Sequence, residues 1–138
     1  PYKFHHDESA FNYRMPNLNA ALGCAQLDKL DMFVEQKREL AKQYQLLLKG
    51  SNLAFFAEPV NTRANYWLNT IICEDINHRD SMLNYLNDNN VMSRPIWDLM
   101  TDLPMYKHCE SDNLKNSRWF ADRIINVPSS VRSLKYEK

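Results

Sequence analysis

A long apolar pattern with helical spacing dominates the first third of the sequence. From Leu18 to Leu48, apolar side chains recur mostly at steps of three and four residues, which is the stripe of an amphipathic helix. Pro16 suits the first helical position because its missing N–H would be unpaired there, and Gly50 suits the position just after the last turn. A continuous helix over 16–49 would be on the order of 50 Å long, so we expect it to bend or to bridge two bodies.

Beyond Gly50 the pattern changes to short strands that alternate with short helices. Segments rich in aromatic and β-branched residues predict strands at 66–73, 91–94 and 123–127, with 53–56 a further strand or an extended segment. Helical spacing predicts helices over 80–87 and 113–122, the first with Asn77 as its N-cap. The resulting order predicts an α+β fold, in which helices pack against a small antiparallel or mixed sheet.

Composition excludes several classes of function. Lys and Arg number 17 and Asp and Glu also 17, so the chain lacks the cationic excess of a nucleic-acid module. With only two glycines, Gly23 and Gly50, it can hold neither a P-loop nor a G-x-G-x-x-G turn. The cysteines, Cys24, Cys73 and Cys109, are odd in number and widely spaced, which argues against a disulfide scaffold or a zinc ribbon.

The same sequence carries no targeting or membrane signal that we can identify. No apolar run approaches the ~20 residues that a membrane-spanning helix needs, and the first eight residues are polar, unlike a signal peptide. We therefore expect a cytoplasmic protein with neither a membrane nor a nucleic acid as a partner. The chain begins with Pro1, and we expect that it is part of a longer protein.

A histidine-rich segment near the N-terminus raises the question of a metal site. His5, His6, Asp7 and Glu8 are consecutive, but adjacent side chains rarely point at one ion, and the sequence has no pair of histidines four residues apart. A solvated polar segment is the better interpretation, so we predict no metal site.

Two arginine-bearing segments are candidates for anion binding. Arg14 follows Asn12 just before the predicted long helix, where free N–H groups and the helix dipole favour a phosphate. The alternative is a polar loop with an aromatic anchor. Arg94 ends a predicted strand beside Trp97, and such a pair can bind a carboxylate or phosphate and stack on a ring. The alternative there is a strand end with a buried Trp.

No residue stands out as catalytic. His78 and His108 lie in polar loops with no nucleophile beside them, and the lysines lie in charged, helix-surface or tail contexts rather than in desolvated pockets. Trp67 and Trp119 are most simply core or interface aromatics. The chain is therefore expected to contribute to a site without supplying the chemistry itself.

The motifs themselves carry a family resemblance. Residues 11–31, F-N-Y-R-M-P-N-L-N-A-A-L-G-C-A-Q-L-D-K-L-D, closely resemble the DegT/StrS-type sugar aminotransferases, which are pyridoxal phosphate (PLP) enzymes of the aspartate aminotransferase fold. V-M-S-R-P-I-W from Val91, L-P-M-Y from Leu103 and R-I-I-N-V-P-S-S from Arg123 agree. The resemblance implies the small C-terminal domain of a fold-type I PLP enzyme. It divides the chain into an interface segment 1–15, a linking helix 16–49, a small domain 50–130 and a tail 131–138.

The resemblance also implies roles for individual residues. Asn12 would reach across a homodimer to bind the cofactor phosphate of the neighbouring subunit, and Arg14 would line the same interface and assist with a phosphate. Arg94 and Trp97 would lie near the nucleotide-sugar pocket. Most members carry a histidine a few residues beyond that aromatic, whereas this chain has Thr101, so the resemblance implies no substrate contact at that position.

The implied activity belongs to a longer protein. The family's Schiff-base lysine lies upstream, in a glycine-rich segment that two glycines cannot supply, so residues 1–138 alone are not expected to be catalytic. The whole protein would transfer an amino group from glutamate to a keto-sugar nucleotide for surface glycan synthesis. The alternatives are a PLP-dependent sugar dehydratase of the same fold, or a non-catalytic dimerisation or ligand-binding module.

Overall fold

The structure, a computed structural model, describes residues 7–11 and 13–131. Its helices are α1 (Asn17–Leu27), α2 (Leu30–Leu47), α3 (Ile76–Asp88) and α4 (Lys115–Ala121). Its strands are β1 (Ala54–Phe55), β2 (Asn69–Ile72), β3 (Arg94–Pro95) and β4 (Ile124–Val127). Two short 3-10 turns, Met100–Asp102 and Pro104–Tyr106, lie between β3 and α4.

The four strands form one antiparallel sheet in the order β1-β2-β4-β3. The central pair is β2 with β4, in a register that places Asn69 opposite Val127 and Ile71 opposite Ile125. β3 lies at the edge, which is where a strand can tolerate Pro95 because its missing N–H breaks no internal ladder. The predicted α+β class with a small sheet is confirmed, and the sheet is antiparallel.

The core forms on the face of the sheet where β2 and β4 place Ile71 and Ile125 side by side. Val127, Cys73 and Leu83 of α3 complete the buried cluster, and part-buried side chains from the end of α2 pack against it. Burial raises the pKa of the Cys73 thiol. Each fully buried aliphatic side chain stabilises the fold by about 1.5–3 kcal/mol, so this cluster holds both helices on the sheet.

The helix predicted over 16–49 is two helices, separated by Asp28 and Lys29. Lys29 leaves the helical region with φ −113° and ψ 7°, and its N–H bonds to the carbonyl of Gln26 in a tighter turn. No glycine or proline marks the break. α2 packs against the sheet through its C-terminal part, whereas α1 buries none of its residues in the described structure. The two helices therefore differ in their packing environment.

A capping hydrogen bond and a backbone dihedral angle correct two smaller predictions. α3 begins one residue after Asp75, whose Oδ1 accepts the N–H of His78 at 2.8 Å, so Asp75 and not Asn77 is the N-cap. The strand predicted over 66–73 begins only at Asn69, because Tyr66 has a left-handed φ of 46° that an extended strand does not allow.

A charged pair fastens the loop between β1 and β2 to α2. Arg38 donates two hydrogen bonds to the Glu58 carboxylate, at 2.7 and 2.8 Å, and the Ala64 N–H donates a third at 2.6 Å. The Tyr66 hydroxyl accepts the Glu58 N–H at 3.1 Å. The bonds from Arg38 and then from Ala64 lower the pKa of Glu58 from its ordinary 4.5 to about 2.

Replacing Glu58 should therefore destabilise the protein in a pH-dependent way. Because the folded-state pKa lies below the ordinary value, the ionised carboxylate contributes its full stabilisation above pH 4.5 and loses it as the pH falls towards 2. We expect the difference in unfolding free energy between wild type and Glu58→Gln, measured in urea from pH 7 to pH 3, to shrink below pH 4.5.

The matched control is Glu39→Gln, which removes only an exposed contact with Lys42 at 3.6 Å. Its effect should be close to zero throughout, as is usual for exposed ion pairs. A Glu58→Gln difference that stayed constant over the whole pH range would contradict the role given to this carboxylate.

Candidate functional site

A groove of about 410 Å³ lies at the end of the sheet where the chain enters β2 and leaves β4. Antiparallel pairing of Asn69 with Val127 brings these two points together, and the pairing of Arg94 with Asn126 adds the edge strand. The groove walls thus come from three separated segments. Its lining comprises Trp67, Leu68, Met92, residues 94–97 and residues 126–130.

Two stacked tryptophans form the aromatic wall of this groove. The ring centroids of Trp67 and Trp97 are 6.2 Å apart with an interplanar angle of 19°. Trp67 is 66% exposed and Trp97 is 45% exposed, so the alternative of a buried Trp at 97 is not observed in the described residues. Of the two roles considered for Trp67, core or interface, the core role is not observed there either. The left-handed backbone φ of Tyr66 turns the chain shortly before β2. Trp67 therefore lies outside the strand and does not share its alternation of more and less buried residues.

Trp67 is a groove residue that the sequence indicated only as a core or interface aromatic. Its aromatic neighbour Tyr66 is buried, and the pattern of the two residues alone does not indicate which of them faces solvent. Trp67 comes next to Trp97, thirty positions further along the chain, only because β2 and β3 both pair with β4. A sequence signal for such a pair would require knowledge of the strand pairing.

Arg94 supplies a positive charge to the groove. It is half-buried on β3, opposite Asn126, and lines the groove together with Trp97. The structure therefore brings the two predicted substrate residues, Arg94 and Trp97, to one cavity. A guanidinium beside aromatic rings can bind an anion and a flat ring together; that role remains a prediction.

The predicted cofactor residues lie in the segment before α1. Arg14 is exposed three residues ahead of Asn17, where α1 begins, and it is not part of the groove wall. Pro16, at the N-cap position, has no side-chain acceptor for the first N–H groups of the helix. This guanidinium and helix start suit a phosphate. Asn12 lies outside the described residues.

The other candidate residues from the sequence do not come together in a site within the part of the chain that the structure describes. His5 and His6 lie outside the described residues, and within residues 7–11 and 13–131 no three His, Cys, Asp or Glu side chains group as metal ligands would. Thr101 lies in a 3-10 turn, and its Oγ1 is buried without a hydrogen-bond partner in the described structure. In the same part of the chain, no helix combines the length and apolar character needed to cross a bilayer.

One lysine departs from the expected surface context. Lys37 of α2 is half-buried, and its Nζ donates to the carbonyl oxygen of Ser129 at 2.6 Å and to that of Trp67 at 3.3 Å. Desolvation by burial lowers the pKa of Lys37. Both acceptors are backbone groups of segments that line the groove, so this side chain joins two of its walls.

Ser129 fixes the wall that follows β4. It is buried, and its hydroxyl accepts the Asn69 N–H at 2.6 Å and donates to the Val127 carbonyl at 2.7 Å. The hydroxyl thus satisfies the N–H of the first residue of β2 from the loop beyond β4. The groove presents aromatic, cationic and amide groups among its lining residues, which are groups that bind anions and flat rings.

Replacing Ser129 with Ala should destabilise the fold at this point. The variant leaves the buried Asn69 N–H without its acceptor, a loss that typically costs about 1–3 kcal/mol. Urea unfolding of the variant should show this decrease. Ser130→Ala, at the exposed neighbouring position, should differ little from wild type, and equal effects for the two variants would contradict the proposed bond.

Comparison with known proteins identifies the class. The model of the DegT/DnrJ/EryC1/StrS aminotransferase family matches residues 2–137, and the chain belongs to that family. The family resemblance carried by the N-Y-R-M segment is thereby confirmed.

Individual relatives show how much of a complete enzyme the chain represents. It is 38% identical over 130 residues to a GDP-perosamine synthase from Vibrio cholerae, covering 92% of this chain and 35% of that protein. It is 29% identical over 104 residues to EpsN of Bacillus subtilis, covering 75% of this chain and 27% of that protein, which its name assigns to the PLP-dependent aminotransferases. The chain thus spans about a third of the length of these relatives.

A solved structure agrees with the fold. Helicobacter pylori PseC, an aminotransferase involved in the biosynthesis of pseudoaminic acid, superposes with a TM-score of 0.77 at 17% identity, covering 91% of this chain and 35% of that one. At this identity the likeness concerns the fold alone. The cofactor expected from the sequence, PLP, is the one named for EpsN.

Proposed function

We propose that this chain is part of a PLP-dependent nucleotide-sugar aminotransferase, which transfers an amino group from glutamate to a keto-sugar nucleotide. The observation that carries the proposal is the family match over residues 2–137, together with 38% identity to a protein named GDP-perosamine synthase. We further propose a cytoplasmic enzyme that serves surface glycan synthesis.

The groove supports a nucleotide sugar as the substrate. Such a molecule has a flat base and a diphosphate, and the groove offers the stacked rings of Trp67 and Trp97 beside the guanidinium of Arg94. Aromatic faces stack on bases, and guanidinium groups bind phosphates through paired N–H donors. In this proposal the groove orients the sugar nucleotide, and reacting groups elsewhere in the protein carry out the transfer.

The segment before α1 supports a cofactor site shared between two subunits. PLP supplies the electron sink for amino transfer when it is bound. Arg14 and the start of α1 fit its phosphate by charge and by donor chemistry, and Asn12 would donate a further hydrogen bond. We propose that these groups act on the cofactor of the neighbouring subunit in a homodimer.

Exposed apolar side chains around α1 support that assembly. Phe11, Tyr13, Met15, Leu18 and Leu22 are each at least 60% exposed, which is unusual for so many neighbouring large apolar residues. We propose that the rest of the enzyme covers them. We also propose that residues 1–138 alone do not transaminate, because the segment that carries the cofactor-anchoring lysine in the family is not among them.

The direct test uses the full-length protein with PLP, glutamate and 4-keto-sugar nucleotides linked to GDP or dTDP. We expect formation of 2-oxoglutarate together with an amino sugar nucleotide. Release of a dehydrated sugar without consumption of glutamate would instead establish the dehydratase alternative. Failure to retain PLP, with no product from any of these substrates, would overturn the proposal.

Replacing Asn12 with Ala in the full-length protein should weaken cofactor retention. The lost hydrogen bond to a charged phosphate is worth about 1.5–3 kcal/mol, which corresponds to a rise of about 10- to 150-fold in the dissociation constant of PLP. Equilibrium dialysis measures it. Asn52→Ala, at an exposed turn remote from α1 in sequence, serves as the control, and unchanged PLP affinity in Asn12→Ala would contradict the role of Asn12.

A further inference from the structure

Lys37 is the one side chain of α2 for which bonds to both the Trp67 segment and the Ser129 segment are observed in the described structure. Trp67 precedes β2, and Ser129 follows β4. Because the two segments come from distant parts of the sequence, their separation is not fixed by chain connectivity alone. A cation between the two carbonyl oxygens holds them at a set distance from each other and from α2.

The backbone around Trp67 is held from both sides. Its N–H donates to Oδ1 of Asn65 at 3.0 Å, and its carbonyl accepts from Lys37. The residue before it, Tyr66, has a left-handed φ of 46°, a conformation that a non-glycine residue adopts only when its surroundings enforce it. The exposed indole of Trp67 therefore depends on backbone anchors for its place against Trp97.

The opposite wall is anchored by the same amine. Ser129 offers its carbonyl to Lys37 while its hydroxyl bonds to the Asn69 N–H and to the Val127 carbonyl. These hydrogen bonds, from Lys37 to Ser129 and from Ser129 to the central strands, link α2 to the sheet beside the groove. An ammonium suits this place because it is a compact cation with three donors on a flexible stem.

We propose that Lys37 is a positioning residue of the groove: it holds Trp67 against Trp97 and sets the width available to the base or sugar of the substrate. This inference rests on the proposed function, and it adds a residue that does not itself line the groove. Lys37 acts through the two carbonyls and does not contact the substrate.

The stacked indoles give a readout that needs no activity. Two tryptophans in contact couple their electronic transitions and produce a paired band in the circular dichroism spectrum. In the full-length protein we expect Trp97→Phe to abolish the band that Trp67 and Trp97 share, which identifies it. Lys37→Met keeps the length of the apolar stem but removes the donors, and should reduce that band by at least about half.

The kinetic expectation is specific to one substrate. Because the displaced indole of Trp67 loses part of its stacking on the substrate base, Lys37→Met should raise the KM for the nucleotide sugar about tenfold, which corresponds to about 1.4 kcal/mol. The kcat and the KM for glutamate should stay within about twofold of wild type. Lys42→Met is the matched control, because Lys42 lies on the same helix and makes an exposed contact with Glu39 at 3.6 Å. It should change neither the spectrum nor the kinetics.

The outcomes separate this inference from the proposed function. Wild-type protein without aminotransferase activity would count against the function, and the circular dichroism comparison would still decide whether Lys37 holds the indole pair. Active wild type with an unchanged band and KM in Lys37→Met would overturn the inference alone. An equal loss of thermal stability and of every kinetic constant would also overturn it. If Lys37→Met does not fold, the same comparison with Lys37→Gln decides.

Discussion

The antiparallel pairing of β2 with β4 determines both the core and the groove. Its register sets Ile71 beside Ile125 in the core, so the cluster that holds α2 and α3 exists only when these strands are aligned. The same register brings the start of β2 to the end of β4, where the groove lies. A slip of one residue would turn the buried faces outward and separate the groove walls at once.

Two consecutive cationic residues of α2 bind the loops next to the sheet. Arg38 holds the loop after β1 through Glu58 and Ala64, while Lys37 holds the Trp67 and Ser129 segments further on. Neighbouring positions on a helix point in different directions, which lets the two side chains reach different parts of the same region. The helix thus binds groove segments through Lys37 and packs against the core through side chains such as Tyr44.

Much of the fold could be predicted from local pattern, because helix periodicity and β-branched clusters are visible in short windows. The break between α1 and α2 at Lys29 could not be predicted, because neither glycine nor proline marks it. The two helices differ instead in burial: α2 buries Ala41, whereas α1 buries none of its residues in the described structure. Arg94 and Trp97 could be proposed as a pair because they are close in sequence. Trp67 and Lys37 could not, because their positions depend on strand pairing and on carbonyl groups that side-chain patterns do not reveal.

We propose that the groove at the ends of β2 and β4 receives the nucleotide sugar. The experiment is a crystal structure of the full-length protein with PLP and a bound amino sugar nucleotide. We expect ligand density against the indoles of Trp67 and Trp97, with an anionic group of the ligand within hydrogen-bond distance of Arg94. A ligand bound wholly elsewhere, with the groove filled by side chains of the remaining protein, would contradict it.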